Sequence, residues 1–298
     1  MPTPDAQRLA RFASGRGFVA ALDQSGGSTP DALARYGIDE SRYATEAEML
    51  DLMHLARARV ITSPAFTSDR IIGAILFEDT IDRTIGQRGV AEYLWREKGI
   101  VPFLKIDKGL NTARDGVQTM REIPGLDALL AYAARSGVFG TKARAVIRSA
   151  NPAGIALAVT QQFRIAEHVL AAGLLPILEP EVDIHAPDQA QAERQLRSEL
   201  LRQLDGLPAP TKVAIKVTIP SVDGFYSELI GHPRVARVVA LSGGYTRAEA
   251  NERLARNPAL IASFSRALLD GLTAQQSDRE FDRNLDASVE SIYRASLT

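Results

Sequence analysis

The chain has 298 residues, with 35 Lys and Arg against 36 Asp and Glu for a formal net charge of -1, a balance that argues against nucleic acid or a membrane surface as a partner. The absence of cysteine excludes disulfides, thiolate metal sites and cysteine nucleophiles at once. Hydrophobic residues make up 45 % of the chain and no apolar run approaches the ~20 residues that span a bilayer, so the sequence reads as a cytoplasmic globular protein.

Taken in chain order, Met1 to Gly17 carries Arg8, Arg11 and Arg16 but no apolar stretch of the secretory kind, and reads as an exposed leading helix. From there a short apolar run, a charged or hydroxyl residue and a helical pattern recur eight times. The runs are Phe18 to Asp23, Ala74 to Glu78, Phe103 to Lys105, Val138 to Lys142, Leu174 to Glu179, Val213 to Lys216, Val238 to Ser242 and Leu260 to Ser265. Strands alternating with helices imply a parallel sheet, and eight repeats imply a closed (β/α)8 TIM barrel, an α/β fold, with helical extensions at both ends. No Pro/Gly/Ser linker or charge block divides the chain. Residues 1–298 therefore read as one domain with the barrel at about 17–272.

The punctuation agrees locally. Asn151-Pro152 starts a helix that runs through Gln161 and Glu167, and Gly173 closes it. Lys142, Glu179 and Lys216 follow one another at intervals of 37 residues, enough for strand, loop, helix and return. The stretch from Ser28 to Ile72 is longer, and reads as helices plus an additional extended piece, Arg59 to Pro64.

Because side chains alternate along a strand, residues of one parity face the barrel interior. In Lys212 to Thr218 the odd positions Val213, Ile215 and Val217 suit packing under helices, which turns Lys216 inward. The same test pairs Lys142 with Arg144, Lys105 with Asp107, and Glu179 with Glu181, while Asp23 closes its own strand. An interior holding Asp23, Lys105, Lys142, Arg144, Glu179, Glu181 and Lys216 is not a packing solution. Buried unpaired charges cost several kcal/mol each, whereas active sites of barrels lie at the C-terminal strand ends and need such groups.

These groups suit amine chemistry. A neutral lysine attacks a ketone, and loss of water gives an iminium that draws electrons from a neighbouring carbon–carbon bond. Lys142 and Arg144 supply cations that favour the neutral amine, and Asp23, Glu179 and Glu181 can move protons. Two Ser-Gly-Gly tripeptides, Ser25 to Gly27 and Ser242 to Gly244, each follow a strand end, where Gly-rich turns bring N–H groups to phosphate. Arg266 follows the eighth strand, close to where barrels hold phosphate. A ligand with phosphates at both ends is implied. The four histidines, His54, His168, His185 and His232, lack metal-ligand spacing, so neither metal nor cofactor is expected.

Read together, Ala20-Ala-Leu-Asp-Gln-Ser-Gly-Gly-Ser28, Gly73-Ala-Ile-Leu-Phe-Glu78, Lys105-Ile-Asp-Lys-Gly109, Leu178-Glu-Pro-Glu-Val182, Lys216-Val-Thr-Ile-Pro220, Leu241-Ser-Gly-Gly244 and Ser265-Arg-Ala-Leu268 resemble the successive signatures of class I fructose-bisphosphate aldolases, in the bacterial branch. The resemblance implies reversible cleavage of fructose 1,6-bisphosphate to dihydroxyacetone phosphate and glyceraldehyde 3-phosphate. It implies Lys216 as the Schiff-base lysine, with Lys142 and Arg144 as neighbouring cations. Glu179 would assist dehydration with Glu181 beside it, and Asp23 would take the C4-hydroxyl proton. Ser242, Gly243, Gly244 and Arg266 match the site for the dihydroxyacetone-end phosphate; Ser25, Ser28 and Lys105 match the aldehyde-end site.

Three features depart from the animal enzymes. Gln24 replaces a carboxylate, no arginine stands at the matching offset after Ser28 although Arg35 is near, and the chain ends Ser-Leu-Thr298 in place of a terminal tyrosine, with Tyr293 as a substitute acid. The partner implied is a phosphorylated sugar, neither nucleic acid nor membrane; a homo-oligomer is compatible with the sequence. Two alternatives stay open: another Schiff-base barrel lyase or a transaldolase-like enzyme, for which one Ser-Gly-Gly would be idle, and a non-catalytic binding barrel, which would have no need of Lys216 or the carboxylates.

Overall fold

Eight strands, β1 (Phe18–Leu22), β2 (Ile71–Leu76), β3 (Val101–Lys105), β4 (Gly140–Ile147), β5 (Leu175–Val182), β6 (Val213–Thr218), β7 (Val235–Leu241) and β8 (Ile261–Phe264), pair in parallel with their sequence neighbours in a computed structural model. The β3–β4 pairing, with Phe103 opposite Gly140, and the β8–β1 pairing, with Ser263 opposite Val19, close the ring into a (β/α)8 barrel. The structure describes residues 3–25 and 29–298.

Strand parity sorts the core into two layers. Val213, Ile215 and Val217 pack outward under the helices, whereas Ala214, Ile177, Phe103, Val19 and Val239 pack together inside the ring. Glycine is required at 140, where a Cβ would lie 2.3 Å from the carbonyl oxygen of Leu175 and 2.7 Å from the Phe103 ring. The leading helix, Ala6–Ser14, is amphipathic rather than simply exposed. Its Phe12 is fully buried, sets its ring 4.9 Å from that of Phe103 at a tilt of 56° and joins the interior cluster. The ring is thus filled with apolar groups toward its N-terminal end, leaving its C-terminal end to the charged residues.

Caps follow the sequence signals. The Asn151 side chain accepts from the Gly154 N–H at 3.0 Å to start the helix Pro152–Ala171, and the Gly173 and Leu174 N–H groups bond back to Leu170 and Val169 to end it. The extended piece expected over Arg59 to Pro64 is instead the last turn of the helix Glu46–Thr62 and the residues after it. Its β-branched pair Val60-Ile61 has strand propensity, but a capping box of Thr45 and Glu48 starts the helix, and Met53, Arg57, Val60 and Ile61 share its buried side. Strand boundaries also move: β4 continues to Ile147, where its outer end pairs antiparallel with Val117–Gln118, and Glu78 leaves β2 to start the short helix Glu78–Ile81. Among the described residues no helix is long and apolar enough to cross a membrane.

Candidate active site

The inward faces of β3 to β6 change character partway up: Phe103 is followed by Lys105, Gly140 by Lys142 and Arg144, Ile177 by Glu179 and Glu181, and Ala214 by Lys216. Side chains two residues apart on one face stand one above another. The strands therefore lift their ionisable groups together onto the apolar floor, at the C-terminal end of the barrel. A cavity of about 1200 Å³ opens there, lined by all of these charged groups together with Asp23, Ser25, Ser242, Gly243, Gly244 and Arg266.

Glu179 is the hub. Its Oε1 lies 2.9 Å from Lys216 Nζ and its Oε2 lies 2.8 Å from Lys142 Nζ, and all three side chains are buried. On its other side, Lys142 Nζ is 2.6 Å from Asp23 Oδ2 and 4.0 Å from Asp107 Oδ2. Burial favours a neutral Asp23, but Lys142, Lys216 and Lys105 outweigh it and hold its carboxyl well below the usual range. Glu179 is depressed likewise: burial and Asp23 oppose ionisation, and Lys142, Lys216 and Arg144 prevail. Burial alone would lower Lys142, yet Asp23, Glu179 and Asp107 keep it above the ordinary lysine range. Lys142 is therefore a firmly charged ammonium, and Lys216 faces it across Glu179 in an alternating network of charges.

The remaining groups flank this chain. Arg144 Nε donates to Glu181 Oε2 at 2.5 Å, beside Glu179. Lys105 Nζ donates to Ser25 Oγ at 2.8 Å and pairs with Asp107 Oδ1 at 3.1 Å. The loop after β7 carries Ser242, buried, and then Gly243 and Gly244 with φ of +64° and +126°. A Cβ at Gly243 would meet Ile184 Cγ2 at 2.7 Å, so the loop admits only glycine there without displacement. Arg266, exposed beside Gly244, makes no side-chain hydrogen bond or ion pair among the described residues. Ser28 lies outside the described residues, as do Gly26 and Gly27.

Residues 5–204 match the family model described as fructose-bisphosphate aldolase class-I. The chain belongs to this family. Proteins named fructose-bisphosphate aldolase class 1 from Synechocystis, Clostridium acetobutylicum and Porphyromonas gingivalis are 55 %, 52 % and 54 % identical to it, over 98 % or more of this chain and of theirs. A fructose-bisphosphate aldolase from Plasmodium falciparum, crystallised with TRAP and a small-molecule inhibitor, has the same fold. Its TM-score is 0.77 at 20 % identity, over 99 % of this chain and 96 % of that one.

Within this aldolase two groups near the reacting end carry no local signal in the sequence. Arg57, buried on the helix Glu46–Thr62, donates to Thr80 Oγ1 at 2.7 Å and to the Gln24 carbonyl, fixing the backbone that follows Asp23. Burial pushes its guanidinium down to about 10. Gln24 in turn donates its Nε2 to Ser265 Oγ at 2.7 Å, tying the end of β1 to the end of β8. Both contacts join segments far apart in the chain, which alternation along a single strand does not reveal. Asp107 was legible by parity, and its place beside Lys105 and Lys142 follows from the pairing of the neighbouring strands β3 and β4. Tyr293, considered as a substitute acid, packs instead against the hydrophobic core on the helix Asp278–Ala295, away from the cavity lining. That helix lays Phe281, Leu285, Val289 and Ile292 on the outside of the barrel, and the Thr298 carbonyl accepts from Ala259 N–H ahead of β8. His54, His168 and His232 bond to Thr84 O, Asp127 and Asp205. Among the described residues no group of three or more His, Cys, Asp or Glu could hold a metal ion.

Proposed function

We propose that this aldolase cleaves fructose 1,6-bisphosphate reversibly, in glycolysis and gluconeogenesis, through a Schiff base on Lys216. The observation that carries the assignment is the bridging of Lys216 and Lys142 by the two oxygens of Glu179, with Asp23 on the far side of Lys142.

Glu179, 2.9 Å from the Lys216 amine, accepts the proton that must leave before nitrogen attacks the ketone carbon. The same carboxyl then returns a proton to the carbinolamine hydroxyl, which departs as water and leaves the iminium. Lys142 stays charged throughout and keeps Glu179 and Asp23 ionised between turnovers. Asp23 accepts the C4-hydroxyl proton as the C3–C4 bond breaks, the bonding pair flowing into the iminium to give an enamine and an aldehyde. Arg144 and Glu181 hold each other against the flank of Glu179. Ser242, Gly243, Gly244 and Arg266 receive the phosphate on the dihydroxyacetone end, and Ser25, Ser28 and Lys105 the one on the aldehyde end. The whole chain acts as one domain, and a cytoplasmic setting fits a chain with no cysteine to oxidise.

Cleavage of fructose 1,6-bisphosphate, coupled to detection of triose phosphate, tests the assignment when run with and without EDTA. Undiminished turnover in EDTA is expected. Loss of turnover that zinc restores would contradict an amine mechanism.

A further inference from the structure

The cations around the cavity divide into committed and uncommitted groups. Lys105, Lys108, Lys142, Lys216, Arg144 and Arg247 each face a carboxylate: Asp107, Glu78, Asp23 with Glu179, Glu179, Glu181 and Asp270. Charge neutralised in such pairs offers little net attraction to a phosphate dianion. This matters most at the aldehyde end. There Lys105 is tied to Asp107 and Ser25, Lys108 to Glu78, and Arg144 to Glu181, so these three cations are offset.

Four guanidinium groups that line the cavity, those of Arg35, Arg57, Arg121 and Arg266, have no carboxylate within ion-pair distance among the described residues, and of these Arg121 is held by the segment that carries Lys108, Gly109 and Leu110. Arg121 lines the same cavity from the segment between β3 and β4, has no carboxylate partner among the described residues, and is exposed. It is also held in place. Its backbone N–H bonds to the Gly109 carbonyl at 2.9 Å, its Nε donates to the Leu110 carbonyl at 3.0 Å, and neighbouring Met120 is buried and bonded twice, at 2.9 Å each, to the Gln161 side chain. Anchoring through Nε leaves the two terminal amino groups of the fork without a partner among the described residues, the arrangement that grips a phosphate with two donors.

We propose that Arg121 is a specificity-determining residue that takes the phosphate on the aldehyde half of the sugar and selects a ketose bisphosphate over a ketose 1-phosphate. The assignment rests on the aldolase reading above. Lys105, held by Asp107, then serves as a fixed donor in the floor of that subsite, and Arg121 supplies its net charge.

Steady-state cleavage of fructose 1,6-bisphosphate and of fructose 1-phosphate by the unaltered protein, Arg121→Gln and Arg121→Lys separates the outcomes. Arg121→Gln should lower kcat/KM for the bisphosphate roughly ten- to a hundredfold, mainly through KM, and leave the monophosphate within about twofold. Arg121→Lys should recover part of the loss. Borohydride trapping of dihydroxyacetone phosphate, which lacks the aldehyde half, should be unchanged in both variants, and so reports that the fold and the amine are intact. Equal losses on the two sugars, or no loss on the bisphosphate, would overturn the assignment of Arg121 while leaving the aldolase reading in place. An unaltered protein that cleaves neither sugar would overturn that reading and this assignment with it.

Discussion

Glu179 sits between the side-chain nitrogens of Lys216 and Lys142, and that single placement organises the site. Two charges 4 Å apart interact by about 4 kcal/mol at an effective dielectric of 20, so a buried carboxylate with two such neighbours is stable where a lone one would protonate. Asp23 gains the same protection from Lys142, which fixes the sign of its contribution to pH stability. Its folded-state pKa lies below the unfolded value, so the unfolded chain takes up this proton first as pH falls. The stability it provides is complete above about pH 5 and drains away below. Thermal unfolding of the protein and of Asp23→Asn, followed from about pH 7 to about pH 3, should show the midpoint difference, wild type minus variant, declining through that window. A difference that stays constant would mean that Asp23 is not held ionised by Lys142. At this scale strand parity sufficed to turn Lys216, Lys142 and Glu179 inward, and Asp23 was placed as the residue that closes its own strand. Parity could not pair them, because the Asp23–Lys142 contact crosses from the end of β1 to β4 and exists only once the ring has closed.

The elements that matter most for substrate are strand ends and the loops they release. The loop after β7 combines a buried serine with two glycines at positive φ, next to a guanidinium without partner among the described residues. Gly243→Ala places a Cβ against Ile184 Cγ2 in a left-handed conformation, a strain of about 1–3 kcal/mol. The expected result is a raised KM for fructose 1,6-bisphosphate, relieved in part by Ile184→Ala in the same chain. An unchanged KM in Gly243→Ala would remove the loop from the phosphate site. Ser-Gly-Gly at a strand end was readable as such a loop because glycine's backbone freedom is a local property. The helix Glu46–Thr62 was less legible at its end: Val60 and Ile61 have strand propensity, and only their packing beside Met53 and Arg57 on one helix side overrides it.

Across the whole molecule, the barrel is plugged at one end and charged at the other. Phe12 fills the N-terminal end from outside the ring, an arrangement that an arginine-bearing leading helix did not announce, since a short amphipathic pattern shows that a helix has an apolar side but not where that side docks. Phe12→Ala should destabilise the fold by about 3–5 kcal/mol in urea unfolding, as expected for a large aromatic removed from a filled core. Turnover under folding conditions should persist, and a selective loss of activity without loss of stability would contradict the separation of floor and site. Eight strand repeats with charged or hydroxyl residues at their ends were legible, because each repeat buries the same face in the same way.

The central claim is that one amine, Lys216, forms the covalent bond to substrate. Lys212 shares its parity but lies four residues earlier, about 13 Å along the strand direction. It is exposed and donates to the Pro233 carbonyl ahead of β7, at the rim opposite the cavity. Lys142 lines the cavity but is held charged by Asp23, Glu179 and Asp107. Borohydride reduction in the presence of dihydroxyacetone phosphate, followed by peptide mass mapping, should place the adduct on Lys216 alone, and Lys216→Met should lose both adduct and turnover while keeping its thermal unfolding transition. An adduct on Lys142 or Lys212, or a Lys216→Met protein that still cleaves fructose 1,6-bisphosphate, would contradict the mechanism.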